Sequence, residues 1–257
     1  MLTHDDHNDG SDSPYYPRII LCIPGPWEVR EILERRLLDR GFALEEKRLR
    51  VGDTDETFDV EFRGPDPRMK AAFQASSCRL RPSLTPLDFR AIEAHRGALY
   101  VLSDRFGRTT AAAAAARMLE IGRVLLDAGG IAIKCESSGI SHSADRWRTP
   151  DFPLFEAFVR LPIIDEIDEL YSVGMHLLGL PDGIVSLKDF PSGDLRAATR
   201  VLEEFLRSMR SGEAVSQATF QPEGRTERYL ATSEPCTGYE PDEFFWNRWG
   251  RFRLRPA

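Results

Sequence analysis

Apolar positions recur along the chain in two rhythms, and their alternation lays out an order of strands and helices. The run Arg18–Pro24 (RIILCIP) is almost continuously apolar and stops at Gly25-Pro26, which predicts a first buried strand. From Trp27 to Arg40 the period changes. Val29, Ile32, Leu33, Leu37 and Leu38 fall at helical spacing, with Glu31–Arg35 a favourable pair one turn apart and Gly41 a natural stop. Phe42–Val51 and Thr57–Arg63 read as a hairpin around residues 52–56. In its second arm Phe58, Val60 and Phe62 alternate with Asp59, Glu61 and Arg63, so one face is buried and one wet.

The middle of the chain continues the pattern. Asp66–Ser76 is a short helix opened by Pro65-Asp66-Pro67, and residues 79–85 form a connector. Pro86–His95 is a helix capped by Thr85, with Leu87, Phe89 and Ile92 as its apolar side chains. Gly97–Ser103 (GALYVLS) is apolar throughout, as expected of a central strand covered on both sides. Thr109–Ala128 is the strongest helix. The run Ala111–Ala116 has the highest intrinsic propensity and lets a neighbouring backbone come close, while Met118, Ile121, Val124 and Leu125 form the stripe. Gly129-Gly130 ends it, and Ile131–Glu136 is the next strand.

Beyond residue 150 the signals are a short helix over Asp151–Val159 and one or two strands over Ile163–Leu187 around Pro181-Asp182-Gly183. A long amphipathic helix follows over Asp194–Arg210, carrying Leu195, Ala198, Val201, Leu202, Phe205, Leu206 and Met209 on its inner face. Short strands near Ala218–Phe220 and Arg228–Ala231 precede the aromatic segment Phe244–Gly250. The order predicts an α+β fold with mixed, largely antiparallel sheets and helices packed on one face, two ferredoxin-like halves being one such arrangement. An N-terminal part over residues 18–150 and a C-terminal part over 151–257 packed on it follow, with no internal repeat.

Composition sharpens this picture in three places. Residues 1–17 are rich in Asp, Ser, Asn and Gly, which predicts a disordered acidic tail. His4 and His7 there sit among aspartates, but a tail would lose much entropy in coordinating an ion. The tail lacks the apolar core of a signal peptide, and no run of about 18 apolar residues occurs, so neither secretion nor membrane insertion is expected and the cytoplasm is the predicted compartment. A net charge of −7 argues against a general phosphate-binding surface and hence against nucleic acid. The local cluster Arg248, Arg251, Arg253 and Arg255 could still meet an acidic partner.

The four cysteines, Cys22, Cys78, Cys135 and Cys236, form no CxxC pair or zinc-ribbon spacing, and Cys22 and Cys135 sit in apolar strands as small hydrophobes. No cofactor motif is present. Pro24-Gly25-Pro26-Trp27 opens a helix as a phosphate cradle does, but it lacks the Gly-x-Gly-x-x-Gly and Walker patterns and its prolines remove donors.

Candidate chemistry concentrates in residues 134–142. Lys134 and Glu136 share one face of a strand, and Ser137, Ser138 and His142 follow closely. One reading makes Ser138 a nucleophile, His142 its base and Glu136 the orienting acid of a hydrolase or transferase. The Gly-x-Ser-x-Gly elbow is absent, and a Lys134–Glu136 ion pair with serines capping the next helix is the plainer alternative. Cys135, His142 and His176 could form a thiol–imidazole or metal site, yet the spacing matches no ligand motif, and no metal is expected. Phe244, Phe245, Trp246 and Trp249, interleaved with Arg248 and Arg251, suit an interaction hot spot or the docking of the C-terminal segment on its own core.

Three stretches, Gly129–Gly139, Gly174-Met175-His176-Leu177-Leu178-Gly179-Leu180-Pro181-Asp182 and Asn247-Arg248-Trp249-Gly250, resemble recurrent stretches of a bacterial family called domain of unknown function 4261. The resemblance implies that the N- and C-terminal parts cooperate as one unit, and it brings no activity. The expectation is therefore a non-catalytic protein that binds another protein, with an immunity-type role in which an acidic protein masks a toxin as one instance. Lys134, His176, Trp246, Arg248 and Trp249 are the expected binding residues.

Overall fold

The computed structural model describes residues 15–52, 54–77, 83–164, 168–210 and 219–257. Most of the predicted acidic tail, with His4 and His7, lies outside them, as do Cys78 and much of the 79–85 connector. The chain is α+β, built on two sheets.

The first sheet has the order β2-β3-β4-β5-β1-β6-β7 and is antiparallel throughout. Its strands are β1 (Ile20–Gly25), β2 (Phe42–Glu45), β3 (Arg48–Val51), β4 (Thr57–Arg63), β5 (Gly97–Leu102), β6 (Ala132–Cys135) and β7 (Ile140–Ser143). The helices between them are α1 (Arg30–Leu38), α2 (Met69–Ser76), α3 (Pro86–Glu93) and α4 (Ala111–Asp127). Within it, β1-α1-β4-β5-α4-β6 in the spatial order β6-β1-β5-β4 is a ferredoxin-like arrangement, extended at one edge by the β2–β3 hairpin and at the other by β7.

Period-two alternation sends side chains of the central strands into two different cores. Ile19, Leu21, Ile23, Leu99 and Val101 meet α1 and α4, whereas Cys22 and Ala98 meet Met69, Phe73 and Ile92 of α2 and α3. Helices thus cover both faces of this sheet instead of the single face expected, and the unbroken apolar run of β5 is the local cause.

Several local expectations are corrected. Helix α1 starts later than its apolar pattern, and only Leu33 and Leu37 are buried while Val29, Ile32 and Leu38 are exposed. Those two leucines contribute about 1.5–3 kcal/mol each. The ion pair on α1 joins Arg30 to Glu34 at 2.7 Å, not Glu31 to Arg35, because Arg30 points toward the backbone carbonyls of Leu44, Glu45 and Glu46 beside it. The run 42–51 folds back on itself, with Glu45 opposite Arg48. Thr85 caps α3 as expected, in a reciprocal pair with Asp88.

The second sheet has the order β11-β12-β13-β10-β9-β8. After α5 (Ala144–Trp147) and α6 (Leu154–Phe158) come β8 (Arg160–Ile164), β9 (Glu169–Val173), the 3-10 turn Met175–Leu178 and β10 (Asp182–Ser186). Helix α7 (Leu195–Arg210) then crosses over to β11 (Thr219–Phe220), β12 (Tyr229–Glu234) and β13 (Arg251–Pro256). The β10–β13 pair is parallel and the others are antiparallel. With one long helix and a parallel central pair this half is not ferredoxin-like. Strand β13 was not among the expected elements, although Arg251–Pro256 alternates Arg with Phe and Leu as a half-buried strand does. Phe252 and Leu254 face inward, with Phe205 of α7 edge-on to Phe252 at 5.9 Å.

One apolar core runs continuously through both sheets, and α4 lies at its centre between the first sheet and the segment 154–178. Its closest approach is at Gly122, where a Cβ would stand 2.6 Å from Trp147 Nε1 and 2.7 Å from Ile133 Cδ1. Ala at this position gains about 1 kcal/mol of helix propensity but meets an overpacking cost of about 1–3 kcal/mol. Gly122→Ala is therefore expected to lower the urea midpoint; an unchanged or higher midpoint would mean that Trp147 yields freely.

Candidate functional site

The hairpin β6–β7 divides the residues expected to act together. Lys134 pairs with Cys22 across β1, on the face covered by α2 and α3, and its Nζ holds Glu136 at 2.7 Å. His142 stands opposite Ile133 on the other face. There it packs against the rings of Trp147 and Phe152 and bonds the Ala157 carbonyl through Nε2 at 3.2 Å. Burial pushes its pKa down to about 4. Glu136 and His142 are separated by the sheet itself, so the Glu136–Ser138–His142 triad does not assemble.

Ser138 is fully buried, with the Cys135 thiol beside its hydroxyl. Burial also raises the Cys135 thiol to about 11, which keeps it protonated and unreactive. Among the described residues no three His, Cys, Asp or Glu side chains converge on a point where a metal ion could sit.

The adjoining segments are locked together by a buried carboxylate. Asp182, at the start of β10, accepts from Ser172 Oγ at 2.9 Å and the Met175 N–H at 3.2 Å through Oδ1. Its Oδ2 accepts from Asn247 Nδ2 at 2.7 Å, and that amide also reaches the Leu180 carbonyl at 3.0 Å. Asn247 Oδ1 in turn takes the Trp249 N–H at 3.0 Å. Burial raises the Asp182 carboxyl to about 7, against the pull of its donors. This clamp holds residues 241–250 on the body of the molecule. Just upstream, Gly174 has φ +115° and would bring a Cβ within 2.2 Å of the Phe158 carbonyl and 2.9 Å of Ser138 Cβ. The three stretches that carry the family resemblance therefore meet in one place.

Held by the clamp, residues 241–248 form one wall of a cleft with a volume of about 80 Å³. Tyr15–Arg18 and Arg105 form the other wall, and Ser137 and His176 lie at its base. The walls are rigid: Ser137 Oγ donates to the Arg18 carbonyl at 2.8 Å and accepts the Ile20 N–H at 3.0 Å, and the Phe106 N–H bonds the Pro17 carbonyl at 3.0 Å. Arg248 lies 3.8 Å over the Tyr16 ring, and Trp246 meets Tyr15 edge-on at 6.5 Å. His176 is 2% exposed, and its Nδ1 has no partner. Burial holds its pKa down at about 4, although the Ser137 and Phe244 backbones favour protonation.

Of the residues expected to bind, His176, Trp246 and Arg248 line this cleft, Trp249 does not, and Lys134 is on the far side of the first sheet. Arg251 and Arg253 are taken up by Glu234 and Glu169, which removes them from the predicted basic cluster. Arg18, Arg105 and Tyr16 also line the cleft, and Asp182 and Asn247, which the sequence shows only as a turn residue and as parts of the family-like stretches, form the clamp. Asp182 reads locally as a turn residue, and the only sequence signal for the clamp is a polar Asp and Asn set within otherwise apolar and aromatic stretches. Comparison of the chain with protein-family models, with curated proteins and with solved structures finds no match.

Two predictions follow from the buried polar groups. Asn247→Ala leaves Asp182 Oδ2 and the Leu180 carbonyl without their donor, and is expected to cost about 2–3 kcal/mol in denaturant unfolding. For pH, His142 and His176 stay neutral in the fold, with pKa about 4 against 6.5 unfolded. Their contribution is complete above about pH 6.5 and is lost as pH falls toward 4, roughly 3 kcal/mol each at full extent. Asp182 has the opposite sign, since its folded pKa of about 7 exceeds the ordinary 3.8; its contribution is complete below 3.8 and is lost as pH rises to about 7. The two histidines outweigh it, so these groups together make the fold less stable near pH 5 than at neutral pH. His142→Phe should flatten that slope by about one proton in urea titrations at several pH values; an unaltered slope would show that His142 does not titrate on unfolding.

Proposed function

We propose that the protein is a non-catalytic cytoplasmic binding protein that acts through protein–protein contact at the cleft between Tyr15–Arg18 and residues 241–248. One observation carries this reading. On a chain of net charge −7, Arg18, Arg105 and Arg248 line a single cleft, and among the described residues none of them is in an ion pair. Exposed Tyr15 and Phe244 stand at its rim with Trp246. Arginine and large aromatic side chains on a rigid support are the composition of an interaction hot spot. The charge suits an acidic segment of the partner.

The division of Glu136 and His142 between opposite faces of the sheet supports a non-catalytic role, because it removes the geometry on which a hydrolase or transferase reading rests. An immunity-type role, in which the cleft masks an acidic segment of another protein, is one instance of this class. The resemblance to the domain of unknown function 4261 family fits the same proposal, since its stretches build the base and one wall of the cleft.

The test is site-specific photocrosslinking in the native host, with the probe at Tyr15 or Phe244 and a control at Leu87, which is 71% exposed on α3. One partner should crosslink from the cleft positions only, and Arg248→Glu should reduce its yield by roughly tenfold. Equal capture from Leu87, or capture indifferent to charge reversal, would overturn the proposal.

A further inference from the structure

The proposed function identifies the cleft as a binding site; the arrangement of charges at its base narrows what enters it. We infer that the cleft holds one compact oxyanion, a carboxylate or a phosphoryl group, between the guanidinium groups of Arg18, Arg105 and Arg248 with His176 beneath. This rests on reading the cleft as a binding site, but not on the anion being delivered by a protein.

Arg105 is partly buried, and both its burial and the nearby Arg18 charge push its pKa below the ordinary arginine value. Two like charges share this cleft with a third, and among the described residues none of the three arginines has a carboxylate within ion-pair distance. Asp242 and Glu243 also line the cleft, and neither is within ion-pair distance of the three arginines. Both are exposed, and Glu243 uses its carboxylate on the Glu240 N–H at 2.6 Å.

Two of the three cations are placed in advance. Arg105 donates through Nη1 to the Tyr16 carbonyl, and Arg248 stacks on the ring of the same residue. Little side-chain entropy remains to be lost when a ligand arrives. Their planar forks match the two oxygens of a carboxylate or phosphoryl group. At the base, the Nδ1 atom of His176 is buried with no partner. Space suits such a group: about 80 Å³ admits a few heavy atoms at the base of the cleft.

The experiment titrates the full chain at low ionic strength with inorganic phosphate and, separately, with a short glutamate-rich peptide. Heat and the imidazole proton resonances of His176 are followed together. Saturable binding of either probe, with movement of the His176 resonances, supports the inference. Phosphate alone points to a phosphoryl source, and the peptide alone to a protein carboxylate. Arg248→Ala and Arg18→Gln should each weaken binding by roughly tenfold, as expected for loss of one charge-assisted contact. Arg248→Lys, which keeps the charge, should restore part of that loss. Arg105→Met is a third variant, used if circular dichroism shows it folded, because it also loses the bond to Tyr16.

Failure of both probes to saturate, or affinity unchanged by Arg248→Ala and Arg18→Gln, overturns the inference. A partner that crosslinks at the cleft while neither anion binds would sink the oxyanion but leave the protein-binding function standing. Anion binding without any crosslinked partner would do the reverse.

Discussion

The Asp182–Asn247 contact is the constraint on which the functional face depends. A carboxylate withdrawn from water persists only if donors replace its hydration, and Asp182 has three: Ser172 Oγ, the Met175 N–H and Asn247 Nδ2. Each comes from a different part of the second sheet or its flanks. Satisfying the one carboxylate therefore fixes the end of β9, the turn at 175–178 and the segment entering β13 relative to one another. The parallel pairing of β10 with β13 continues directly from it, beginning with Asp182 opposite Arg251. Beside this clamp, residues 241–250 are held by the Asp182 N–H on the Gly250 carbonyl at 3.1 Å and by contacts such as Phe245 edge-on to Tyr239.

From that anchor the geometry of the cleft follows. Residues 241–248 are brought against the chain's entry into β1, whose backbone is tied to Ser137 and Phe106. Three arginines from distant parts of the chain thus face one space, although each is surrounded in sequence by ordinary surface residues. The net acidity of the chain is no guide to this face, because charge acts through local distances and through the dielectric of its surroundings rather than through its sum.

The same alternation that builds the first sheet dismantles the most tempting chemical reading. Neighbouring side chains in a strand point to opposite sides, so closeness in sequence does not place residues on one face. Lys134 and Glu136 go with α2 and α3, and His142 goes with α4, Trp147 and Phe152. Each is accounted for structurally, by an ion pair in one case and by a sealed aromatic pocket with a carbonyl partner in the other.

Much of the α+β layout was legible along the chain. The unbroken apolar run of β5, the alternation in β4, the alanine-rich α4 and the stripe of α7 each carry a period that local physics enforces, so those elements could be placed from residue types alone. Strand β7 and the break between β2 and β3 were not, since four-residue strands are too short to display a period. Within the site, His176, Trp246 and Arg248 stood out as residue types, but nothing local distinguished Arg248 from Arg251, or Asp182 from an ordinary turn aspartate. Tertiary structure decided those cases, by giving Arg251 a carboxylate and leaving Arg248 over a tyrosine ring, and by burying Asp182. The residues of 129–142 determined a helix stop, a strand and a polar turn by themselves. Which face each polar group entered, and hence whether they could act together, depended on the register of the β6–β7 hairpin and on the pairing of β6 with β1, the second a long-range contact that no local pattern encodes.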